Sequence, residues 1–441
     1  MNAPFPWEPF PPETPGPGGP DPIHAVAYRG AVTAADAYRS VRLALRRDAG
    51  TLRVGNRFVA DGRYREVAFL AVGRAANAMA LAALATFGDR LTQGFVAGPE
   101  PVDPHLPFQG TVVPAGWPGA PAAEPAVRAA TELAEGLTEA DLLLVLLSPG
   151  ALRAFAAPPP GLDGPGFAEL LEEAHRRGAS GREVDRIARV LATGAVGGRL
   201  AAAIPRADWA TFVVERGDGA ASVGGGPTVP VAAAERAEAR SVLARLGLEA
   251  ALPAPARDRL RPEAPTPGPG AGAVRRPVVV AQPGDALRAA ADAVFDKGWT
   301  SRLAALAVRD APPAAAEQFL ARSDGLIAAE GLTAASRTKG VATFAMMTLG
   351  LPEGVDEGPA LAAFLTAARG LLRRREMSVG LFRTAGAAGS SEFPAGAVVG
   401  LPTSGPVGDR AGPARAIPMA AGITDVGLLA VALAPLPGTP G

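Results

Sequence analysis

Short, wholly apolar runs alternate along this chain with longer segments whose apolar residues recur at helical spacing. That alternation is the sequence form of parallel strands joined by crossover helices. Glu66 to Val72 (EVAFLAV) reads as a buried strand, with a helix over Ala75 to Phe87 after it. Leu142 to Leu147 (LLLVLL) is the clearest strand. The helix before it, Glu124 to Gly136, has Pro125 in its first turn and Val127, Ala130 and Leu133 on one face. Thr211 to Val214 continues the series. Val278 to Ala281 reads as another strand, followed by a helix that starts at Gly284-Asp285, covers Ala286 to Phe295 and ends near Gly298. Ser378 to Phe382, Gly396 to Val399 and Gly427 to Ala434 supply further strands.

Two stretches interrupt this pattern. The start of the chain is dominated by Pro and Gly, which bury little and form no regular helix, so residues 1–24 are expected to be a disordered tail. Residues 251–277 hold Pro262, Pro265, Pro267 and Pro269 with Gly268, Gly270 and Gly272, and are expected to be a linker. The fold expected is α/β in two domains. Residues 25–250 form a Rossmann-like parallel sheet flanked by helices, and residues 278–441 form a second α/β domain. Ligands in such folds sit beyond the carboxyl ends of strands.

Charge and composition narrow the function classes. The 43 basic residues balance 43 acidic ones, so no bulk field draws the chain to nucleic acid or to an anionic membrane, and neither is expected as a partner. The absence of Cys removes disulfides, thiolate metal sites and a thiol nucleophile together. Lys297 and Lys339 are the only lysines, so any mechanism that needs an ammonium has two candidates. No long uniformly apolar segment and no basic leader with an apolar core stand out, and a soluble cytoplasmic protein is expected.

Three glycine-bearing strand ends are the places to look for chemistry. They are Val72-Gly73-Arg74-Ala75, Leu147-Ser148-Pro149-Gly150 and Val214-Glu215-Arg216-Gly217-Asp218-Gly219. Glycine permits a sharp turn, and the amides that then open a helix attract an anion. Tight backbone packing explains the same glycines without any ligand. A cation such as Arg74 is unfavourable at a helix start unless an anion is near, whereas Asp218, between glycines, is equally a turn residue or a metal ligand. His24, His105 and His175 are scattered, and give no support for a metal cluster or a Ser/His pair.

Taken in order, these segments resemble the glycerate 2-kinase family of the MOFRL type. Gly73-Arg74-Ala75 running to Met79-Ala80 is similar to that family's Gly-Lys-Ala turn and its Met-Ala helix. Trp117 to Pro121 takes the place of a His-Pro-x-Pro-Asp segment. Ser148 to Phe155, with Pro158-Pro159-Pro160-Gly161, resembles a Ser-Gly-Gly-Gly-Ser-Ala-Leu-Leu strand end and the turn after it. Val196-Gly197-Gly198-Arg199-Leu200-Ala201 resembles a Lys-Gly-Gly-x-Leu-Ala element. Val213 to Gly219 and Gly225-Gly226-Pro227-Thr228 resemble a Ser-Asp-Val-x-Gly-Asp-Asp run ending in Ser-Gly-Pro-Thr. In the second domain, Thr384 to Gly389 and Thr424 to Leu429 resemble the family's Thr-Asp-Gly-x-Asp-Gly and Thr-Asn-Val-x-Asp-Leu segments.

The resemblance implies a MOFRL-like C-terminal domain, and a reaction in which ATP with Mg²⁺ phosphorylates glycerate. It implies catalytic roles for Arg74, Asp218 and Lys339, anion contacts from Gly73, Ser148, Gly150 and Gly217, and Asp218 as the metal ligand. The polar residues of the motifs are the ones that differ. Arg74 stands for the family lysine, Pro149 removes a donor, Leu152 replaces a hydroxyl, and Val214, Gly219, Ala385 and Ala388 replace carboxylates. Val196 replaces a second lysine. The expectation is a kinase-like protein of weak or absent activity. Two alternatives stand beside it: a working small hydroxy-acid kinase with replaced residues, and a non-catalytic sensor or partner subunit. A small hydroxy acid or a nucleotide is the expected partner.

Overall fold

The computed structural model describes residues 22–435 except 114–115, 119–122, 205–206, 218, 266–275, 309, 334–339, 348–350, 352–357, 373–377, 384–395, 401–414 and 417–427. Its first sheet has six strands. Across the sheet they run Gln109–Val112, Leu91–Gly98, Val67–Val72, Leu142–Leu147, Asp208–Val214 and Val278–Ala281. Every neighbouring pair is parallel. The chain starts in the middle, builds outward to one edge, then returns to build on the other side of its first strand. This is the doubly wound order, with its switch point between Val67–Val72 and Leu142–Leu147.

Both strands at the switch are buried at every residue, which is why they read as unbroken apolar runs rather than as alternation. Their side chains divide by parity. Val67, Phe69 and Ala71, with Leu142, Leu144 and Leu146, face helices Pro22–Ala34, Ala37–Ala44, Ala76–Phe87 and Pro283–Phe295. Ala68, Leu70 and Val72, with Leu143, Val145 and Leu147, face helices Ala123–Gly136, Gly164–Arg176, Gly181–Leu191 and Ala233–Arg245. Val72 and Leu147 pair in register, so the chain leaves both strands at the same level. A three-stranded antiparallel meander, Leu45–Asp48, Thr51–Val54 and Arg57–Ala60, is attached beside the sheet.

The second sheet is mixed. Its order is Thr300–Val308, Gly340–Met347, Leu428–Pro435, Ser378–Arg383, Gly396–Gly400 and Arg415–Ala416, with only the first pair parallel. Helices Pro312–Thr333 and Gly358–Leu372 cover one face. On the other face Ala342, Phe344, Met346, Leu429, Val431 and Leu433 join the apolar cluster that also holds helices Pro22–Ala34 and Pro283–Phe295.

Three expected boundaries fall elsewhere. The tail lies outside the described residues only as far as residue 21; residues 22–24 open a helix, because His24 and Ala27 are buried against the following helices. The first part of the expected linker packs on the first domain. Ala254–Asp258 is helical, and Leu252, Ala256 and Leu260 are buried at the first domain, while residues 266–275 are not described. Val278–Ala281, expected to open the C-terminal domain, instead forms the edge strand beside Asp208–Val214. Among the described residues no helix is long and apolar enough to cross a membrane.

Candidate functional site

The switch point places Gly73 and Ser148 side by side at the carboxyl ends of the two central strands. Gly73 has φ 112°, and a β-carbon there would lie 2.2 Å from the Ser148 carbonyl oxygen and 2.4 Å from its Oγ. Glycine is therefore required by a close approach of two backbones, whatever binds nearby. The Arg74 amide donates to the Pro149 carbonyl at 2.9 Å, and the Ala75 amide donates to Ser148 Oγ at 2.9 Å. The Ala76 amide donates to the Gly73 carbonyl at 3.2 Å. The amides of Arg74, Ala75 and Ala76 are thus engaged within the chain.

Gly150, φ 96°, opens the short helix Ala151–Phe155 and lies against Arg74 and Arg153. A β-carbon on Gly150 would be 3.6 Å from Arg74 Cγ and 3.7 Å from Arg153 Nη2. Gly73, Arg74, Ser148 and Gly150 are therefore brought together. Gly217, φ 93°, lies in the turn after Asp208–Val214. Asp218 and Lys339 lie outside the described residues, as do the Thr384 to Gly389 turn and the Thr424 to Val426 segment.

The turns after Leu142–Leu147 and Asp208–Val214 enclose a cavity of about 240 Å³. It is lined by Pro149, by Arg216, Gly219 and Ser222, by Arg182, Asp185, Arg186 and Arg189 of helix Gly181–Leu191, and by Glu235 and Leu351. Arg189 and Arg216 are 4% and 6% exposed. Arg189 Nη1 donates to Glu235 Oε1 at 2.8 Å, and its Nη2 donates to the Val229 carbonyl at 2.9 Å. Burial holds the Arg189 guanidinium below its ordinary range, Glu235 opposing and Arg186 adding to that shift. Glu215 Oε1 accepts the Gly219 amide at 2.6 Å, fixing the turn that carries Gly217.

Arg182, Arg186 and Arg189 lie outside the family-like motifs of the sequence. Their spacing was the available signal, since positions 182, 186 and 189 share one face of helix Gly181–Leu191. Arg216 adjoins Gly217 in the turn after Asp208–Val214. Gly197-Gly198 and Gly225-Gly226 turn out to pack together: the Gly197 and Gly198 amides donate to the Gly225 and Gly226 carbonyls, each at 2.9 Å. A β-carbon on Gly198 would meet Pro230 Cα at 2.8 Å, so these glycines hold two turns in contact. Thr228, at the end of that segment, shares a buried hydroxyl hydrogen bond of 2.9 Å with Thr211.

Among the described residues, no group of three or more His, Asp or Glu side chains is placed to hold a metal ion. The charged side chains that line the crevice are the four guanidiniums of Arg182, Arg186, Arg189 and Arg216 and the two carboxylates of Asp185 and Glu235, with Glu235 held by Arg189 and Arg186 paired to Glu238. That excess of guanidiniums suits a carboxylate or a phosphate.

A doubly wound parallel sheet joined to a second, mixed sheet, with a crevice at the carboxyl ends of its strands, defines an α/β protein of the glycerate kinase-like fold. The crystal structure of the PH0495 protein from Pyrococcus horikoshii OT3 is similar, with a TM-score of 0.65 and 16% identity over 94% of this chain and 98% of that one. The crystal structure of a glycerate kinase from Thermotoga maritima is similar too, with a TM-score of 0.64 and 18% identity over 93% of this chain and 98% of that one. No curated protein matches the sequence. A family profile described as a domain of unknown function, DUF4147, matches residues 24–261, and the chain belongs to that family.

Proposed function

We propose that this protein is a glycerate 2-kinase-like cytoplasmic scaffold with weak or absent phosphotransfer, which binds a small organic acid or its phosphate ester in the arginine-lined crevice. The observation that carries this reading is the engagement of the Arg74 and Ala75 amides by Pro149 O and Ser148 Oγ. A phosphate-binding turn leaves such amides for its ligand, because they supply oriented donors at no reorganisation cost. With those donors taken, anion recognition falls to guanidiniums. Three positions where the family resemblance calls for a carboxylate, a lysine and a hydroxyl support the same reading. Val214, Val196 and Leu152 are all buried in apolar clusters.

The test is calorimetry of the full chain with glycerate, with 2-phosphoglycerate and with Mg·ATP, beside an assay of ADP release. The expected result is binding of an acid or its phosphate ester, weakened when Arg186 is changed to Gln, without appreciable ADP release. Glycerate-dependent ADP release at ordinary kinase speed, about 1–100 per second, would establish the working-kinase alternative with Arg74, Asp218 and Lys339 in the lost roles. Binding of no acid at all would remove the proposal.

A further inference from the structure

A second concavity, about 480 Å³, lies at the far end of helix Ala76–Phe87. That helix starts beside Gly73 and is twelve residues long, so its last turn is roughly 16 Å from the switch point. The concavity is lined by Arg39, Arg42, Arg46 and Arg47 against one carboxylate, Asp48. Two of the arginines are held in place. Arg42 Nη1 donates to Thr86 Oγ1 at 3.0 Å, and the buried Thr86 hydroxyl donates to the Ala82 carbonyl at 2.9 Å. Arg47 Nε donates to both Asp61 oxygens at 2.8 and 2.9 Å, and Asp61 also accepts from Arg90 Nη1 at 2.8 Å. Arg46 and Asp48 are 3.9 Å apart and exposed, a pairing worth little in water.

Charge bookkeeping favours an anion here. The carboxyl ends of helices Ala37–Ala44 and Ala76–Phe87 reach this edge, each equivalent to roughly half a negative charge. Of the charged side chains that line the concavity, the guanidiniums of Arg39, Arg42, Arg46 and Arg47 outnumber the one carboxylate, Asp48, with Asp61 holding Arg47 and Asp36 beside Arg39. A concave wall of one sign focuses its field, and planar guanidinium forks match phosphate oxygens two at a time. Anchoring Arg42 and Arg47 beforehand lowers the ordering cost of binding.

We propose that this concavity is an anion site for a small ligand bearing two or more phosphate-type charges, separate from the carboxyl-edge crevice and independent of the function read for it. Arg42 and Arg47 act as fixed donors, and Arg39 and Arg46 close on the ligand.

The test is phenylglyoxal labelling of the full chain, mapped residue by residue by mass spectrometry, with inorganic pyrophosphate as the probe. Pyrophosphate is expected to protect Arg42 and Arg46. In an Arg39→Gln/Arg42→Gln variant, the pyrophosphate concentration that protects Arg46 is expected to rise about tenfold, the loss that goes with one strong charged hydrogen bond. An Arg186→Gln variant in the other crevice is expected to leave protection at Arg46 unchanged. Equal labelling of Arg42 and Arg46 with and without pyrophosphate, or unchanged protection of Arg46 in the double variant, overturns the proposal.

Discussion

Ser148 closes the turn that Gly73 opens. Its Oγ accepts the Ala75 amide at 2.9 Å, and its carbonyl oxygen would stand 2.2 Å from any β-carbon placed on Gly73. The hydroxyl therefore does for helix Ala76–Phe87 what a bound anion does at a phosphate turn. It satisfies an amide that opens the helix, in a place with no water access, since Ser148 is wholly buried. Replacing Ser148 with Ala is expected to lower stability by about 1–3 kcal/mol, the cost of a lost cap and an unpaired buried amide. Gly73→Ala is expected to cost more, because a backbone contact cannot be relieved by a rotamer change. Urea denaturation of both variants checks the order; a Gly73→Ala protein as stable as the parent would contradict the packing described.

Gly30 makes a similar demand between two helices. A β-carbon on it would come 2.6 Å from the Ala289 carbonyl oxygen and 3.0 Å from Ala293 Cβ, which ties helix Pro22–Ala34 to helix Pro283–Phe295. Alanine gains up to about 1 kcal/mol over glycine in a helix interior, whereas overpacking a close contact costs about 1–3 kcal/mol. Net destabilisation is the expected outcome of Gly30→Ala. A rise in Tm would mean that the helices part without penalty.

The same first helix carries a pH signature. His24 is wholly buried, and burial pushes its imidazole down from 6.5 to about 3. Between those values the unfolded chain binds a proton that the folded chain does not, so stability rises with pH. The contribution is present in full above the unfolded value and is lost as pH falls toward the folded one. The slope is at most about 1.4 kcal/mol per pH unit. A His24→Gln variant is expected to show a flatter dependence of its urea midpoint on pH below 6.5. An identical dependence in variant and parent would exclude this origin.

Arg189 is expected to matter to stability as well as to ligand binding. Its side chain joins helix Gly181–Leu191 to Glu235 and to the carbonyls of Val229 and Pro230 while only 4% exposed. Changing it to Met leaves those carbonyls and Glu235 without this donor, and the expected loss is about 2–4 kcal/mol. Glu235→Gln keeps an acceptor at a side chain that is 28% exposed, so a smaller loss is expected, about 1 kcal/mol. Guanidinium denaturation of the two variants measures the difference, and the reverse order would show that the pair is not held as described.

The sequence by itself determined the central strands, their helices and the glycine turns after them. Runs such as Leu142 to Leu147 are apolar at every position because both faces of a central parallel strand are covered, and that signal is local. The placing of Gly73 and Ser148 at one level followed from parallel strands ending together at a switch point. Only the tertiary structure decided where Val278–Ala281 belongs, since four apolar residues can extend the edge of either sheet and their partner is set by long-range packing. It also decided that Ser148 engages the Ala75 amide, and that Arg186 and Arg189 meet Arg216 across one cavity. Those groups come from segments far apart in sequence, and the potential they share exists only once the helices have docked.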